Sequence, residues 1–283
     1  MEKGLAIITG ADGGMGQVIT AALAKEGYPV IMACLDPEKA ASLCNRIQQE
    51  TGNTQIEVRR IDLASLSSVN NFTGQLLKEG RPVSRLMNNA GILTTPVRKT
   101  EDGLETIVSV NYVAPYMLTR QLLPLMQPGC RIVNTVSCTY AIGRIEPDFF
   151  EKGRNGRFFR IPVYSNTKLA LLLFTQELAE RLQNQGITIN ASDPGIVSTN
   201  MITRQAWFDP LTDILFRPFI KTPVQGAATA IHLALSDEAK DRNGCCYANC
   251  KKRNVSERIR HHAQQKQLWD DTEILLRQKG IRF

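Results

Sequence analysis

Tyr164 and Lys168 stand four positions apart in "VYSNTKLALLLF", residues 163–174, a stretch almost wholly apolar after its first six residues. On a helix, positions i and i+4 share a face, with Cβ atoms about 5–6 Å apart. A phenol has an ordinary pKa of about 10 and needs help to act as a base at neutral pH. A neighbouring ammonium favours the phenolate, so Lys168 is expected to lower the Tyr164 pKa toward the working range. The pair reads either as surface neighbours or as an acid/base couple mounted on a buried helix.

A second stretch with chemical potential is "TGADGGMG", Thr9–Gly16. It follows the apolar run "LAIITG" and opens a helical pattern from about Met15 to Glu26. At such a turn Gly10, Gly14 and Gly16 let the backbone approach a pyrophosphate, which the free N–H groups and dipole of the helix attract. The glycine spacing differs from the G-x-G-x-x-G pattern, so the placement between strand and helix carries the reading.

The elements that must position these residues follow one rhythm. Short β-branched runs ("LAIITG", "YPVIMAC", "QIEVRRID", "SRLMNNAG", "CRIVNTVS", "ITINASDPG") alternate with longer amphipathic stretches. One of these stretches predicts a helix from about Gly103 to Met126. "VQGAATAIHLAL" and "GCCYAN" add a last helix and strand. Such alternation predicts an α/β fold, a parallel sheet with helices on both faces. Residues 139–162 and 200–222 break the rhythm and read as long loops.

Composition sets the outer limits. The chain has 283 residues, 43% of them hydrophobic and 22% charged, as in an ordinary globule with a single large core. No apolar run reaches the roughly 18 residues of a membrane span, and the start "MEKGLAIITG" lacks a signal-peptide pattern, so a cytoplasmic protein is expected. Seven dispersed cysteines point to reduced thiols. Cys245, Cys246 and Cys250 precede His261 and His262, but zinc sites of that type use histidines separated by three to five residues, and no metal is expected. The net charge of +7 carries no block resembling a nucleic-acid arm. Its densest basic stretch, "CKKRNVSERIRHH" (250–262), reads as a solvated face.

Seven motifs stand in order along this frame: T-G-x-x-x-G-x-G at Thr9–Gly16; Asp62 after the third strand; "NNAG" at Asn88–Gly91; Asn111 in "SVNYVAP"; Ser137 after the fifth strand; Y-x-x-x-K at Tyr164–Lys168; and P-G-x-V-x-T at Pro194–Thr199. Together they resemble the short-chain dehydrogenase/reductase family over almost the full length. "VIMAC", the long gap from Ser137 to Tyr164, "YSNTKLALLLFTQELAERL" and "YANCK" resemble its retinol-dehydrogenase-like branch. The amino-terminal membrane anchor common in animal members of that branch is expected to be absent.

The resemblance implies one Rossmann-type domain over 1–283, a doubly wound parallel sheet of about seven strands. It implies an oxidoreductase that uses NAD or NADP on an alcohol/carbonyl pair. Tyr164 would exchange a proton with the substrate oxygen, Ser137 would hydrogen-bond that oxygen, Lys168 would hold the nicotinamide ribose, and Asn111 would hold a relay water. The cofactor would lie against Thr9, Gly10, Asp12, Gly14, Met15, Gly16, Leu35, Asp62, Leu63, Asn89, Ala90, Gly91, Tyr164, Lys168, Pro194, Gly195, Val197 and Thr199. Relatives that prefer NADP often carry a basic residue at the positions of Gly13 or Leu35, and NAD-preferring ones an acid at Cys34. Neither signature is present. Asp12 and Asp36 would repel a 2′-phosphate and favour NAD, while Lys39 or Arg59 would compensate.

Other expectations concern the rest of the chain. Cys138, beside Ser137, reads as an inert thiol near the site. "LALLLF" is apolar around too much of its helix for sheet contact alone, which predicts a homodimer or homotetramer through that helix. Residues 200–222 read as an apolar lid for a small hydrophobic alcohol or ketone. The tail at about 254–280 reads as helical packing anchored by Leu268 and Trp269. The rival readings are a catalytically silent nucleotide-binding sensor or scaffold, and a peripheral membrane or RNA binder. The last would need an interfacial helix or an aromatic and basic surface, and only residues 200–222 approach one.

Overall fold

The computed structural model describes residues 3–94, 97–151, 157–197 and 221–283, the side chains of 157–159 excepted. Strands β1 (Leu5–Thr9) and β2 (Val30–Cys34) are buried at every position. Unbroken apolar runs of this kind suit strands covered on both faces. With β3 (Ile56–Arg60), β4 (Val83–Asn88), β5 (Met126–Thr135), β6 (Thr188–Asp193), β7 (Cys246–Ala248) and β8 (Lys251–Arg253) they form an eight-stranded sheet in the order β3-β2-β1-β4-β5-β6-β7-β8. Neighbours from β3 to β7 are parallel, and β8 returns antiparallel.

The order reverses beside β1. The chain runs outward through β2 and β3, then crosses back to β4 on the other flank. A crevice therefore opens between the carboxyl ends of β1 and β4, where such folds bind nucleotides. Helices cover both faces. Helices α1 (Gly14–Lys25), α2 (Pro37–Thr51) and α7 (Pro223–Leu235) pack one core, around Ile8, Met32 and Leu233. Helices α3 (Leu66–Glu79), α4 (Thr106–Val108), α5 (Ala114–Leu122), α6 (Arg157–Arg181), α8 (Glu257–Arg260) and α9 (Gln265–Gln278) pack the other, around Leu86, Tyr116 and Leu172.

Three details differ from expectation. The eighth strand comes from the basic stretch read as a plain solvated face. Asn249 and Cys250 take left-handed φ of 51° and 59°, the backbone of a two-residue hairpin turn, and fold Lys251–Arg253 back onto β7. The helix expected from Gly103 to Met126 is broken into pieces. Glu105 caps α4 (Thr106–Val108) by accepting from the Ile107 and Val108 N–H groups, a π-helical turn spans Ser109–Val113, and Met126 already belongs to β5. Helix α6 begins at Arg157, inside the expected loop 139–162, and tolerates Pro162 close to its start.

The apolar run Leu169–Phe174 is fully buried within one chain. Helix α9 lies across it. Trp269 stacks on Phe174 at 5.9 Å and meets Tyr116 edge-on at 5.1 Å, while Thr272 shares a 2.8 Å hydrogen bond with the Tyr112 hydroxyl. The tail therefore satisfies the apolar excess that suggested a second subunit, and Leu268 and Trp269 anchor it as expected. Among the described residues no helix is long and apolar enough to cross a membrane.

Candidate active site

The glycine turn is built for close approach. Gly10 has φ 60° and donates its N–H to Ala33 O at 2.9 Å, pinning the turn to β2. A Cβ on Gly10 would meet Ala90 at 3.1 Å, and one on Gly16 would overlap the Gly10 carbonyl oxygen. Gly13 caps α1 without a side-chain hydrogen bond, and no acid stands in the first turn. The first N–H groups of α1 thus face the crevice with nothing from their own chain to compete with an anion. Gly16→Ala is expected to raise the dissociation constant for a nicotinamide dinucleotide by about 10- to 100-fold, through overpacking of the turn. A fluorescence titration giving wild-type affinity would show that this turn does not hold the cofactor.

The "NNAG" turn is stitched to it. Thr9 Oγ1 accepts from the N–H groups of Asn89 (3.0 Å) and Ala90 (3.1 Å), and Asn89 Nδ2 donates to Thr9 O at 3.0 Å. Gly91 then passes over the reaction pair: a Cβ there would lie 3.3 Å from Lys168 Nζ and 3.5 Å from Asn111 Oδ1. The buried Asn111, on the π-helical turn, accepts from Ile92 N (2.8 Å) and donates to Ile92 O (2.9 Å) and Thr167 Oγ1 (3.3 Å). Single π turns of this kind occur often at functional sites. Here the turn places an amide that fixes the loop beside Lys168.

Tyr164 and Lys168 share a face of α6, with Nζ 5.4 Å from the centre of the phenol ring. Lys168 is buried and donates to Thr135 O at 2.8 Å. Burial pulls its pKa down to about 8, and the Asp193 carboxylate opposes that loss. Tyr164 keeps some contact with solvent, yet burial around its hydroxyl pushes its pKa up to about 12. The Ser137 hydroxyl beside it pulls the other way. The expected lowering by Lys168 is therefore not what the chain alone produces. The ammonium is spent on the Thr135 carbonyl, and desolvation dominates at the phenol. What the chain does place together is Ser137, Tyr164 and Lys168, at the carboxyl end of β5 and one turn from the glycine crevice.

The short chain dehydrogenase family model matches residues 4–149 and 151–207. The chain belongs to the short-chain dehydrogenase family. It is 37% identical over 279 residues to retinol dehydrogenase 12 of Mus musculus, covering 98% of this chain and 86% of that relative. A solved structure of an uncharacterized protein from Mycobacterium Paratuberculosis superimposes with a TM-score of 0.77 at 29% identity, covering 98% of this chain and 94% of that one. A blue fluorescent protein from a metagenomic library, solved in complex with NADPH, has the same fold (TM-score 0.70, 24% identity, covering 87% of this chain and 96% of that one). This dehydrogenase is accordingly an NAD(P)-dependent oxidoreductase acting on CH–OH groups.

The cradle of this short-chain dehydrogenase fits a nicotinamide dinucleotide. Gly10, Gly16, Ala90 and Gly91 stand close together at the crevice, Gly14 opens α1 there, Leu35 is 60% exposed at the end of β2, and Asp12 acts on the Cys34 thiol beside it. Asp62 ties its own turn by accepting from Ala64 N at 2.9 Å. Pro194 and Gly195 make the turn after β6, where Gly195 has φ 77°. Other expected contacts serve the scaffold. Thr9 and Leu63 are buried beneath the turns they end, and Met15 and Val197 pack where α7 arrives, since a Cβ on Gly226 would press on both. Thr199 lies outside the described residues, as does most of 200–222. Arg59 cannot compensate a 2′-phosphate, because Glu57 and Glu79 hold it at 3.0 and 2.5 Å. Asp36 accepts from Lys39 N at the start of α2, and the Lys39 ammonium lies 2.6 Å from it.

Three participants escaped the sequence reading. Thr135 contributes only a carbonyl, for which no side-chain signal exists. Asp193 was legible as an acid ending an otherwise uncharged strand, "TINASD". Arg253 was visible only as one of several basic residues, since its partner is set by the hairpin register.

Proposed function

We propose that the chain interconverts a bulky hydrophobic alcohol and its aldehyde or ketone, with Tyr164 as general acid/base. The carrying observation is the convergence of Ser137 and Tyr164 at the end of β5 with the buried Lys168, whose Nζ lies 5.4 Å from the centre of the phenol ring. When bound, the nicotinamide cofactor accepts or supplies the hydride. Tyr164 moves the proton to or from the substrate oxygen, and Ser137 donates to that oxygen as charge develops. Lys168 holds the ribose and presents positive charge under the phenol. Asn111 and Ile92 fix the loop that closes this pocket, with a relay water carried by the same turn.

Two observations support a hydrophobic substrate. A relative 37% identical is a retinol dehydrogenase. Residues 200–222 are rich in Met, Ile, Leu, Trp and Phe, and the described residues on either side of this stretch, Val197 and Lys221, form a β-bridge close to the Pro194–Gly195 turn. Sites for apolar ligands are lined by such side chains. Trp207→Ala is expected to raise KM more for all-trans-retinol than for cyclohexanol. Equal losses would place Trp207 in the core and remove the main support for a large substrate.

The preference for NAD rests on Asp12, because Lys39 offsets the charge of Asp36. Leu35→Arg would offer a charge-assisted hydrogen bond to a 2′-phosphate. The ratio of kcat/KM for NADP over NAD is expected to rise about tenfold, the effect of roughly 1.4 kcal/mol. An unchanged ratio would mean that Leu35 does not face the ribose. All seven cysteines are free, which supports a reducing compartment such as the cytoplasm.

A further inference from the structure

We infer that Asp193, clamped by Arg253 of the last strand, is a positioning residue of the reaction that holds Lys168 as an ammonium in its buried seat. The inference rests on the Tyr164–Lys168 reading of the site and adds a residue that the seven motifs do not contain. Asp193 is 2% exposed, an unusual place for a carboxylate unless it is paired. Its Oδ1 accepts from Gly195 N at 3.0 Å, and its Oδ2 from Arg253 Nη1 at 2.8 Å.

The sheet register explains the clamp. Ala191 pairs with Cys246, and Cys246 pairs with Arg253. Residues two apart on a strand share a face, so Asp193 projects on the same side as Ala191, Cys246 and Arg253. The guanidinium reaches diagonally over Cys246 to the carboxylate, with the Tyr140 ring 5.9 Å beneath it. On the other flank, β5 and β6 are paired in register, Thr135 opposite Ser192. Thr135 is the residue whose carbonyl accepts from Lys168. Asp193 is therefore one residue beyond the row that seats the lysine, level with Val136 and one residue short of Ser137.

The charged and titratable groups facing this position are Lys168 and Tyr164 from α6, Cys138 and Tyr140 from the turn after β5, Cys246 from β7 and Arg253 from β8. Among the described residues, the charge that offsets the desolvation of Lys168 is that of Asp193. Arg253 pairs with that carboxylate at 2.8 Å but is 43% exposed, so solvent screens its charge more than that of the buried Asp193. The same clamp orients Gly195, so one carboxylate serves both the proton-handling pair and the turn that the cofactor lies against.

The test is a titration of the Lys168 side chain by NMR, in the full chain labelled with ¹³C-lysine, with the signal assigned by its loss in Lys168→Met. Asp193→Asn keeps the shape and an acceptor for Gly195 N while removing the charge. Its Lys168 pKa is expected to fall by about one unit or more, the usual size of a close charge effect. Arg253→Gln strips the carboxylate of its counter-charge, so a smaller shift in the opposite direction is expected. A pH profile of all-trans-retinol oxidation should move down in the first variant and up in the second. Lys168 unmoved in a folded, cofactor-binding Asp193→Asn chain, or both variants shifting the same way, would overturn the inference. A lysine that moves as expected in a chain that oxidises no retinol supports the inference and counts against the substrate instead.

Discussion

Replacing Tyr164 by phenylalanine is expected to lower kcat by about 10²- to 10⁴-fold, the usual contribution of a general acid/base. Cofactor affinity should stay near the wild-type value. Phenylalanine keeps the ring that packs on α6 and removes only the hydroxyl that Ser137 contacts. The ring is partly exposed, so the change opens no large cavity in the core. Steady-state rates and a fluorescence titration on one preparation separate the two effects. A variant retaining most of its turnover would remove Tyr164 from the proton-transfer step. A variant that lost cofactor affinity to the same degree would make the phenol a binding group.

Lys168→Met is expected to act on three quantities at once. Turnover falls by a factor in the same 10²–10⁴ range, and cofactor binding weakens, because the ammonium serves both the phenol and the ribose. Stability moves the other way. In the folded chain the Lys168 pKa lies at about 8, below its ordinary value, so the folded state disfavours the charged form. The buried ammonium therefore costs stability at every pH below about 8, and this cost fades as pH rises toward the ordinary lysine value of about 10.4. Methionine fills similar space without charge. Its Tm should exceed the wild-type Tm at pH 7, and the gap should narrow by pH 10. An equal or lower Tm at pH 7 would mean that the Thr135 carbonyl and Asp193 fully compensate the buried charge.

The fold was legible because parallel strands buried on both faces leave continuous apolar runs, as in "LAIIT" and "VIMAC", and helices between them keep their own period. The glycine crevice was legible for a related reason: a Cβ at Gly16 would overlap backbone and Gly10 has positive φ against Ala90, so steric need is written into residue type. The shared helix face of Tyr164 and Lys168 was legible from their i,i+4 spacing. The electrostatics of the pair were not. The direction of the Tyr164 shift depends on how deeply the hydroxyl is buried and on where Lys168 spends its hydrogen bonds, and neither is a property of local sequence. The strand Lys251–Arg253 was hidden because its side chains are exposed and basic, while the hairpin that folds it depends on two non-glycine residues with positive φ. The pairing of Asp193 with Arg253 follows from that register and could not be read before it. The cover of the helix around "LALLLF" was not legible for a physical reason too, since apolarity says that a face is covered but not by what. Here its cover is α9.

The proposed reaction is hydride transfer to a nicotinamide cofactor from a hydrophobic alcohol. It is tested most directly by mixing the full chain with NAD or NADP and all-trans-retinol and following the nicotinamide absorbance. A steady rise is expected with at least one cofactor, lost in Tyr164→Phe, with no comparable rise for a polyol such as sorbitol. Cofactor binding without any rise, for retinol and for other large apolar alcohols alike, would contradict it and leave a silent nucleotide-binding protein in its place.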